Sequence, residues 1–267
     1  MALEKGTVQN ILVMGKSGAG KQPRIDVLVK EFGLVQLSTG NIFREYLGKF
    51  NEIGFSGDIK AFFDEKKGKF KTDAAIAKKL GDLLKGREPK DVILGLKAKY
   101  FMESGKFVPD SITNALFEAY FAKSGYKGMV LDGYPRTPDQ SKFLLKLTKA
   151  KGTNIDAIVL VDNEDEAIVK RTIGRRICPK CKKVFHIEFK APRDGRFCTE
   201  CGAEVILRSD DSEEKIRSRL QEFQDKALPA MELLKTKGIP VATVPGNLPV
   251  FTDEAVRQSV MDALGKI

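Results

Sequence analysis

The segment GKSGAGK, Gly15 to Lys21, follows an apolar run and precedes a helical one. Glycines placed there let backbone N–H groups converge on an anion, the helix N-terminus adds partial positive charge, and Lys21 adds a mobile full charge. That is chemistry for holding a string of phosphates. The pattern ordinarily continues with Ser or Thr, whose hydroxyl helps hold magnesium. Here Gln22 and Pro23 follow. Pro23 is tolerable in a first helical turn, where no N–H partner is lost, and Gln22 can donate a hydrogen bond, but neither supplies a hydroxyl. The cradle is kept and its metal edge is altered. A glycine-rich turn without a nucleotide role is the competing reading, and the strand-loop-helix context argues against it.

Cys178-Pro-Lys-Cys181 and Cys198-Thr-Glu-Cys201 form two thiolate knuckles at the separation of a tetrahedral zinc ribbon. Four soft ligands favour zinc and leave no open position, so the expected metal is structural, not catalytic. Redox disulfides are the alternative for paired cysteines. His186, the sole histidine, lies between the knuckles, and with zinc already saturated it is expected to be structural.

Arginines flank this cysteine-bearing stretch, Arg171, Arg175 and Arg176 before it and Arg208, Arg217 and Arg219 after it. Phosphoryl transfer relies on positioning and on cations that neutralise charge spreading over the moving oxygens. Converging arginines suit that task, although Arg176 and Arg217 also suit a plain charged surface. In LDGYPRT (131–137), Asp132 ends an apolar run, where a carboxylate can hold magnesium through water, with Arg136 beside it.

These residues need a scaffold, and apolar runs of strand length alternating with helical stretches predict a parallel sheet covered on both faces. The strands are expected at 10–15, 34–38, 129–133, 156–162 and 240–246, and the helices at about 16–32 (with the loop), 137–149, 163–173, 212–237 and 252–265. Two regions break the alternation, one helical and one carrying the four cysteines. Within the first, residues 62–84 echo 99–121, aligning Gly68-Lys69-Phe70 with Gly105-Lys106-Phe107 and Asp73 with Asp110. A duplicated helix-turn-helix and a chance sharing of a GKF turn both account for the echo.

At 267 residues, 42% hydrophobic and 31% charged, the chain reads as globular. Its longest apolar runs fall well short of the roughly 20 residues of a membrane helix. The opening MALEKGTVQN lacks the succession of a secretory signal, so a cytoplasmic location is expected. The formal charge of +10 favours anionic partners. No basic motif interleaved with aromatics appears, so nucleic acid is not the expected one.

Taken together, LSTGNIFR (37–44), GKFVPD (105–110), LDGYPRTPDQ (131–140), IGRRICPKC (173–181) and LRSDDSEEKIRSRL (207–220) resemble the adenylate kinase family in its long, zinc-bearing lid form. The likeness covers nearly the whole chain apart from roughly 48–91. It implies an α/β P-loop core with a five-stranded parallel sheet, divided as core (1–38), helical monophosphate-binding domain (39–124, with an extra insertion at about 48–91), core (125–174), zinc-binding lid (175–209) and core (210–267). It implies transfer of a phosphoryl group between MgATP and AMP to give two ADP, a role in nucleotide biosynthesis, and a monomer with one structural Zn2+ and with Mg2+ brought by ATP. By the family pattern, ATP would lie on Gly15, Gly18, Ala19, Gly20, Lys21, Gln22, Arg171, Arg175 and Leu248. AMP would lie on Thr39, Gly40, Arg44, Gly133, Arg136, Gln140, Arg208 and Arg219, with Gln140 reading adenine. The catalytic set would be Lys21, Asp132, Arg136, Arg171, Arg175, Arg208 and Arg219, with Asp210 and Asp211 pairing lid or core arginines.

The chain departs from the pattern at Gln22-Pro23 (usually Gly-Thr), Ser17 (usually Pro) and Asn41 (usually Asp), and the first departure predicts reduced turnover. A nucleotide-binding regulatory protein of the same fold with impaired catalysis is the alternative, and a zinc-ribbon nucleic-acid binder a more distant one. Phe185, Phe189 and Phe197 could stack bases but also suit a small lid core.

Overall fold

The structure is a computed structural model that describes residues 3–103, 108–181, 183–188, 190–207 and 211–267. Its strands in chain order are β1 (Asn10–Met14), β2 (Val35–Ser38), β3 (Phe63–Asp64), β4 (Lys69–Phe70), β5 (Met129–Asp132), β6 (Ala157–Asp162), β7 (Arg175–Ile177), β8 (Val184–His186) and β9 (Val241–Pro245). Its α-helices are α1 (Lys21–Phe32), α2 (Thr39–Asn51), α3 (Asp73–Leu80), α4 (Pro89–Glu103), α5 (Asp110–Phe121), α6 (Pro138–Ala150), α7 (Asp165–Ile173), α8 (Glu213–Glu222), α9 (Leu228–Thr236) and α10 (Asp253–Leu264).

Five strands form one parallel sheet in the order β2-β5-β1-β6-β9. Each is one of the five predicted runs. Alternate residues of β1 serve opposite faces. Ile11 and Val13 join Ile25, Leu28, Val159, Ile168 and Val260 on one side, whereas Leu12 and Met14 join Leu37, Leu131, Leu144 and Leu234 on the other. Period-two alternation in a doubly covered strand yields just such a continuous apolar run. Because the chain leaves β1 for β2 on one flank and later returns to β6 on the other, the carboxyl end of β1 lies at the switch point where ligands of open α/β sheets bind.

The first region that breaks the alternation is less helical than expected. A short 3-10 turn at Ile59–Phe62 leads into the β3–β4 hairpin, with Phe63 paired to Phe70, before α3 begins. Asp73 and Asp110 do open α3 and α5 alike, but residues 62–70 are turn and hairpin where 99–103 are helix. The echo is therefore not a duplicated helix-turn-helix, and Gly105, Lys106 and Phe107 of its second half lie outside the described residues. This region has its own core of Phe50, Ile53, Phe62, Ile76, Leu80, Val92, Ile93 and Leu96. It leans on α2 and α4, whose close approach depends on Gly95, where an added Cβ would sit 2.1 Å from the Tyr46 carbonyl oxygen.

The helix expected at 212–237 is interrupted. A π-turn at Phe223–Ala227 joins α8 to α9, which carries Pro229 in its first turn. Proline cannot donate to the preceding turn and its ring crowds the carbonyl there, and a π-turn absorbs that defect without ending the helix.

Candidate functional site

The phosphate loop runs from the end of β1 to the start of α1. Gly15 has φ 140°, and a Cβ there would lie 2.3 Å from the Val161 carbonyl oxygen of β6, so the loop can seat itself only with glycine. Gly20 caps α1 in the left-handed region, φ 96°. Lys21 Nζ donates to the carbonyls of Gly15 and Lys16 at 2.8 and 2.9 Å, folding over the loop that it would share with a ligand. Burial lowers its pKa to about 8, with Asp132 acting against the shift and Arg136 and Arg171 adding to it. Arg171 reaches the loop from α7, donating to the Gly18 carbonyl. Lys16 is tied to Asp165 at 2.6 Å and to the Asn163 carbonyl, which anchors the loop to the start of α7.

Beyond the loop opens a cleft of about 360 Å³ lined by Gly15, Ser17, Lys21, Asp132, Gly133, Arg136, Arg175 and Arg219, with Phe223 and Ala227 of the π-turn. Residues from four separate stretches of sequence thus meet at one place. Arg175, the first residue of β7, is held in a two-point pair by the buried Asp211, Nε to Oδ2 at 2.8 Å and Nη2 to Oδ1 at 2.5 Å. The predicted arginine–aspartate pairing is present for Asp211, whereas Arg208 and Asp210 lie outside the described residues. Arg217 instead pairs with Glu166 and Glu213 on the surface, and Arg176 donates to the Ile173 and Arg175 carbonyls.

On the other side of Asp132, Thr39 Oγ1 donates to the Gly133 carbonyl at 2.9 Å, and Arg136 Nε donates to the same oxygen at 2.8 Å. Gly40 faces the guanidinium of Arg44, which is bonded to Asn41 Oδ1. Asn41 keeps the acceptor that an aspartate would offer while giving up its charge. Gln140 is buried, its Oε1 accepting from the Arg136 N–H at 2.7 Å and its Nε2 donating to Asp110 Oδ1 at 2.7 Å. Thr39, Gly40, Arg44, Gln140, Arg171 and Leu248 are outside the cleft lining, as are Gly18, Ala19 and Gly20 of the loop itself and the exposed Gln22. Leu248 sits half-buried in the turn 246–250, which abuts the loop so closely that a Cβ on Gly246 would lie 2.1 Å from the Ala19 carbonyl oxygen.

The four cysteines come together. Their Sγ atoms all lie within 4.8 Å of one another, with Cys178–Cys201 at 3.4 Å and Cys181–Cys198 at 3.5 Å. The edge of a tetrahedron with zinc–sulfur bonds of about 2.3 Å is about 3.8 Å, so the four sulfurs fit that ion. Backbone N–H groups of Cys181 and Glu200 point at Cys178 and Cys198 Sγ, as two turns wrapped around thiolates should. Phe185 and Val205 pack beside Cys178 and Cys198. Phe197 lies under the Arg196 guanidinium and Phe189 is outside the described residues. His186 is buried in β8, paired in register with Arg175, and burial lowers its pKa.

Sequence reasoning passed over Arg24. It is wholly buried, donating to the Gly20 carbonyl at 3.2 Å and the Pro245 carbonyl at 2.6 Å, with Phe251 stacked over it at 5.3 Å. The available signal was its place on the apolar stripe of α1 with Ile25, Leu28 and Phe32. Gln36 and Asp110, which hold Asp132 and Gln140, were also missed. Among the described residues no helix is long and apolar enough to cross a membrane.

Comparison with known proteins agrees with this geometry. The family model for adenylate kinase matches residues 67–239. An adenylate kinase of Symbiobacterium thermophilum is 34% identical over 256 residues, covering 94% of this chain and 99% of its own. Those of Carboxydothermus hydrogenoformans and Zymomonas mobilis are 31% and 32% identical, covering 96% and 90% of this chain and 99% and 90% of their own. With a phosphate loop and a cleft of converging cations on the main sheet, a four-cysteine cluster beside the separate β7–β8 pair, and these matches over most of its length, the chain belongs to the adenylate kinase family.

Proposed function

We propose that the chain catalyses reversible phosphoryl transfer, MgATP plus AMP giving two ADP, with no covalent enzyme intermediate. The observation that carries this reading is the shared cleft, where Lys21, Asp132, Arg136, Arg175 and Arg219 face one volume. A site for one nucleotide would not need cations on both sides of Asp132. In the transfer an oxygen of the AMP phosphate attacks the γ-phosphorus of ATP while the bond from that phosphorus to the β,γ-bridging oxygen breaks. The attacking phosphate is already ionised near neutral pH, so no side chain has to take a proton.

The protein's part is placement and charge. Gly15, Gly18, Ala19, Gly20, Lys21 and Arg171 would cradle the ATP phosphates, Leu248 in the turn 246–250 would border its base, and Arg175 and Arg219 would meet the moving group. Thr39, Gly40, Arg44, Gly133 and Arg136 would take AMP. Gln140 would read adenine after exchanging its bond to Asp110. Magnesium bound with ATP neutralises phosphate oxygens, and Asp132 is the residue that would hold it through water. Closure of the 39–124 and 175–209 segments over the core segments 1–38, 125–174 and 210–267 would exclude water that otherwise hydrolyses ATP. Because every group named comes from one chain, a monomer is the working form in this reading, and a cytoplasmic location is taken with it. ADP production from MgATP, assayed with and without AMP, tests it. Absence of AMP-dependent turnover at high protein concentration refutes it in favour of a binding role.

A further inference from the structure

Gln22 and Pro23 stand where a loop hydroxyl is expected, and the structure gives Gln22 a different engagement. Its Nε2 donates to Asp26 Oδ1 at 2.8 Å and to Gln36 Oε1 at 3.0 Å. Gln36 Nε2 donates back to Gln22 Oε1 at 3.2 Å and onward to Asp132 Oδ2 at 3.1 Å. Gln36 lies on β2 beside β5, where Ser38 is in register with Asp132, so Gln36, two residues before Ser38, and the Asp132 carboxylate share a face of the sheet. Each carboxamide nitrogen has two hydrogens and each is used once. Carboxylates stand at both ends of the bridge and only accept, so turning either amide over would set oxygen against oxygen. The direction of the bridge is therefore fixed by its ends.

We propose that Gln22 and Gln36 are positioning residues, a two-amide bridge that fixes the Asp132 carboxylate at the mouth of the cleft in a loop that lacks its hydroxyl. The inference rests on the phosphoryl-transfer reading, because the orientation of Asp132 matters to catalysis only if MgATP sits in that cleft.

Two measurements on the full chain test it. In the first, without nucleotide, Asp132→Asn should shift the side-chain NH2 signals of Gln36 in a 15N-resolved NMR spectrum and, through the reciprocal pair, those of Gln22. The signals of Gln258, which bonds Asp262 elsewhere, should stay in place. In the second, Gln36→Leu and Gln36→Glu should each lower kcat about tenfold, the change expected when a hydrogen bond to a charged group is lost. Gln36→Leu should raise the Mg2+ concentration needed for half-maximal rate, with the AMP KM and the melting temperature little changed. Glu keeps the shape of Gln, lacks the donor and sets a second negative charge beside Asp132, whereas Leu removes the donor without adding charge, so a loss of rate shared by both marks the missing donor. Gln22→Leu should cost about threefold and add nothing in the Gln36→Leu background, since both act through one bridge.

Unshifted Gln36 signals, a full-rate Gln36→Glu, or additive effects of the two substitutions overturn the bridge. So does a rate well above that of the unmodified chain when Gln22 and Pro23 are replaced together by Gly and Thr. If the unmodified chain shows no AMP-dependent turnover, the proposed reaction fails, and the NMR measurement still decides whether the bridge exists.

Discussion

Raising the pH from about 7 to about 9 should weaken ATP binding about tenfold, because the Lys21 ammonium ion loses its proton in that window. Lys21 is folded onto the Gly15 and Lys16 carbonyls, out of bulk water, and burial sets its pKa at about 8 in place of 10.5. Asp132 opposes the shift while Arg136 and Arg171 reinforce it. The lowered pKa means that the free protein gives up a proton just above neutrality that a bound polyphosphate would restore. Its charged fraction falls from about nine-tenths at about pH 7 to about one-tenth at about pH 9, hence the tenfold change if only the ammonium form grips phosphate. The terminal phosphate of ATP has lost its last proton by then, since that group titrates near pH 6. Titration calorimetry with ATP alone, in buffers of different ionisation enthalpy, should find about half a proton taken up per ATP at about pH 8. Lys21→Arg keeps its charge throughout and should flatten the profile. Affinity that is constant across the window, or a Lys21→Arg protein whose affinity falls as steeply as the unmodified one, would refute the reasoning.

Gly95→Ala should destabilise the protein by about 1–3 kcal/mol, the usual cost of overpacking, because its methyl would meet the Tyr46 carbonyl oxygen at 2.1 Å. At roughly 2–4 °C per kcal/mol for a chain of this size, thermal unfolding resolves that. Metal analysis should find about one zinc per chain. Stripping it, or Cys178→Ser, should expose the stretch around Phe185 and Val205 to limited proteolysis while the sheet persists. Asp211→Asn should lower kcat by roughly 30- to 100-fold, on the scale of one charge-assisted pair, with the AMP KM little changed, because it frees the Arg175 guanidinium without touching the monophosphate side.

Strands buried on both faces announce themselves as short apolar runs bounded by turn residues, and all five of the main sheet were legible for that reason. Helix boundaries such as 138–150 and 253–264 were equally plain, since Thr137 and Thr252 cap them by accepting from Gln140 N and Ala255 N. The β3–β4 hairpin was not legible, because strands of two residues carry no period. What holds it is a cluster of Phe63, Phe70, Tyr100 and Phe101, built from residues far apart in sequence. The π-turn at 223–227 was hidden by a helical pattern that runs straight through it. In the site, motif residues were readable and their supports were not. That Gln140 leans on Asp110, or Gln36 on Asp132, depends on how separate segments pack and on the β2–β5 register. No local pattern encodes either.

The small core around Phe62 has a bearing on how this chain could be shortened. Phe62, Ile76 and Leu80 come from the stretch between α2 and α4, and they cover Phe50 and Ile53 at the end of one helix and Val92, Ile93 and Leu96 at the start of the other. Excising that stretch to obtain a trimmed enzyme would leave those five apolar side chains wet, at about 1.5–3 kcal/mol for each one fully uncovered. A minimal version would therefore need its two helix ends resurfaced with polar residues before the cut could be tolerated.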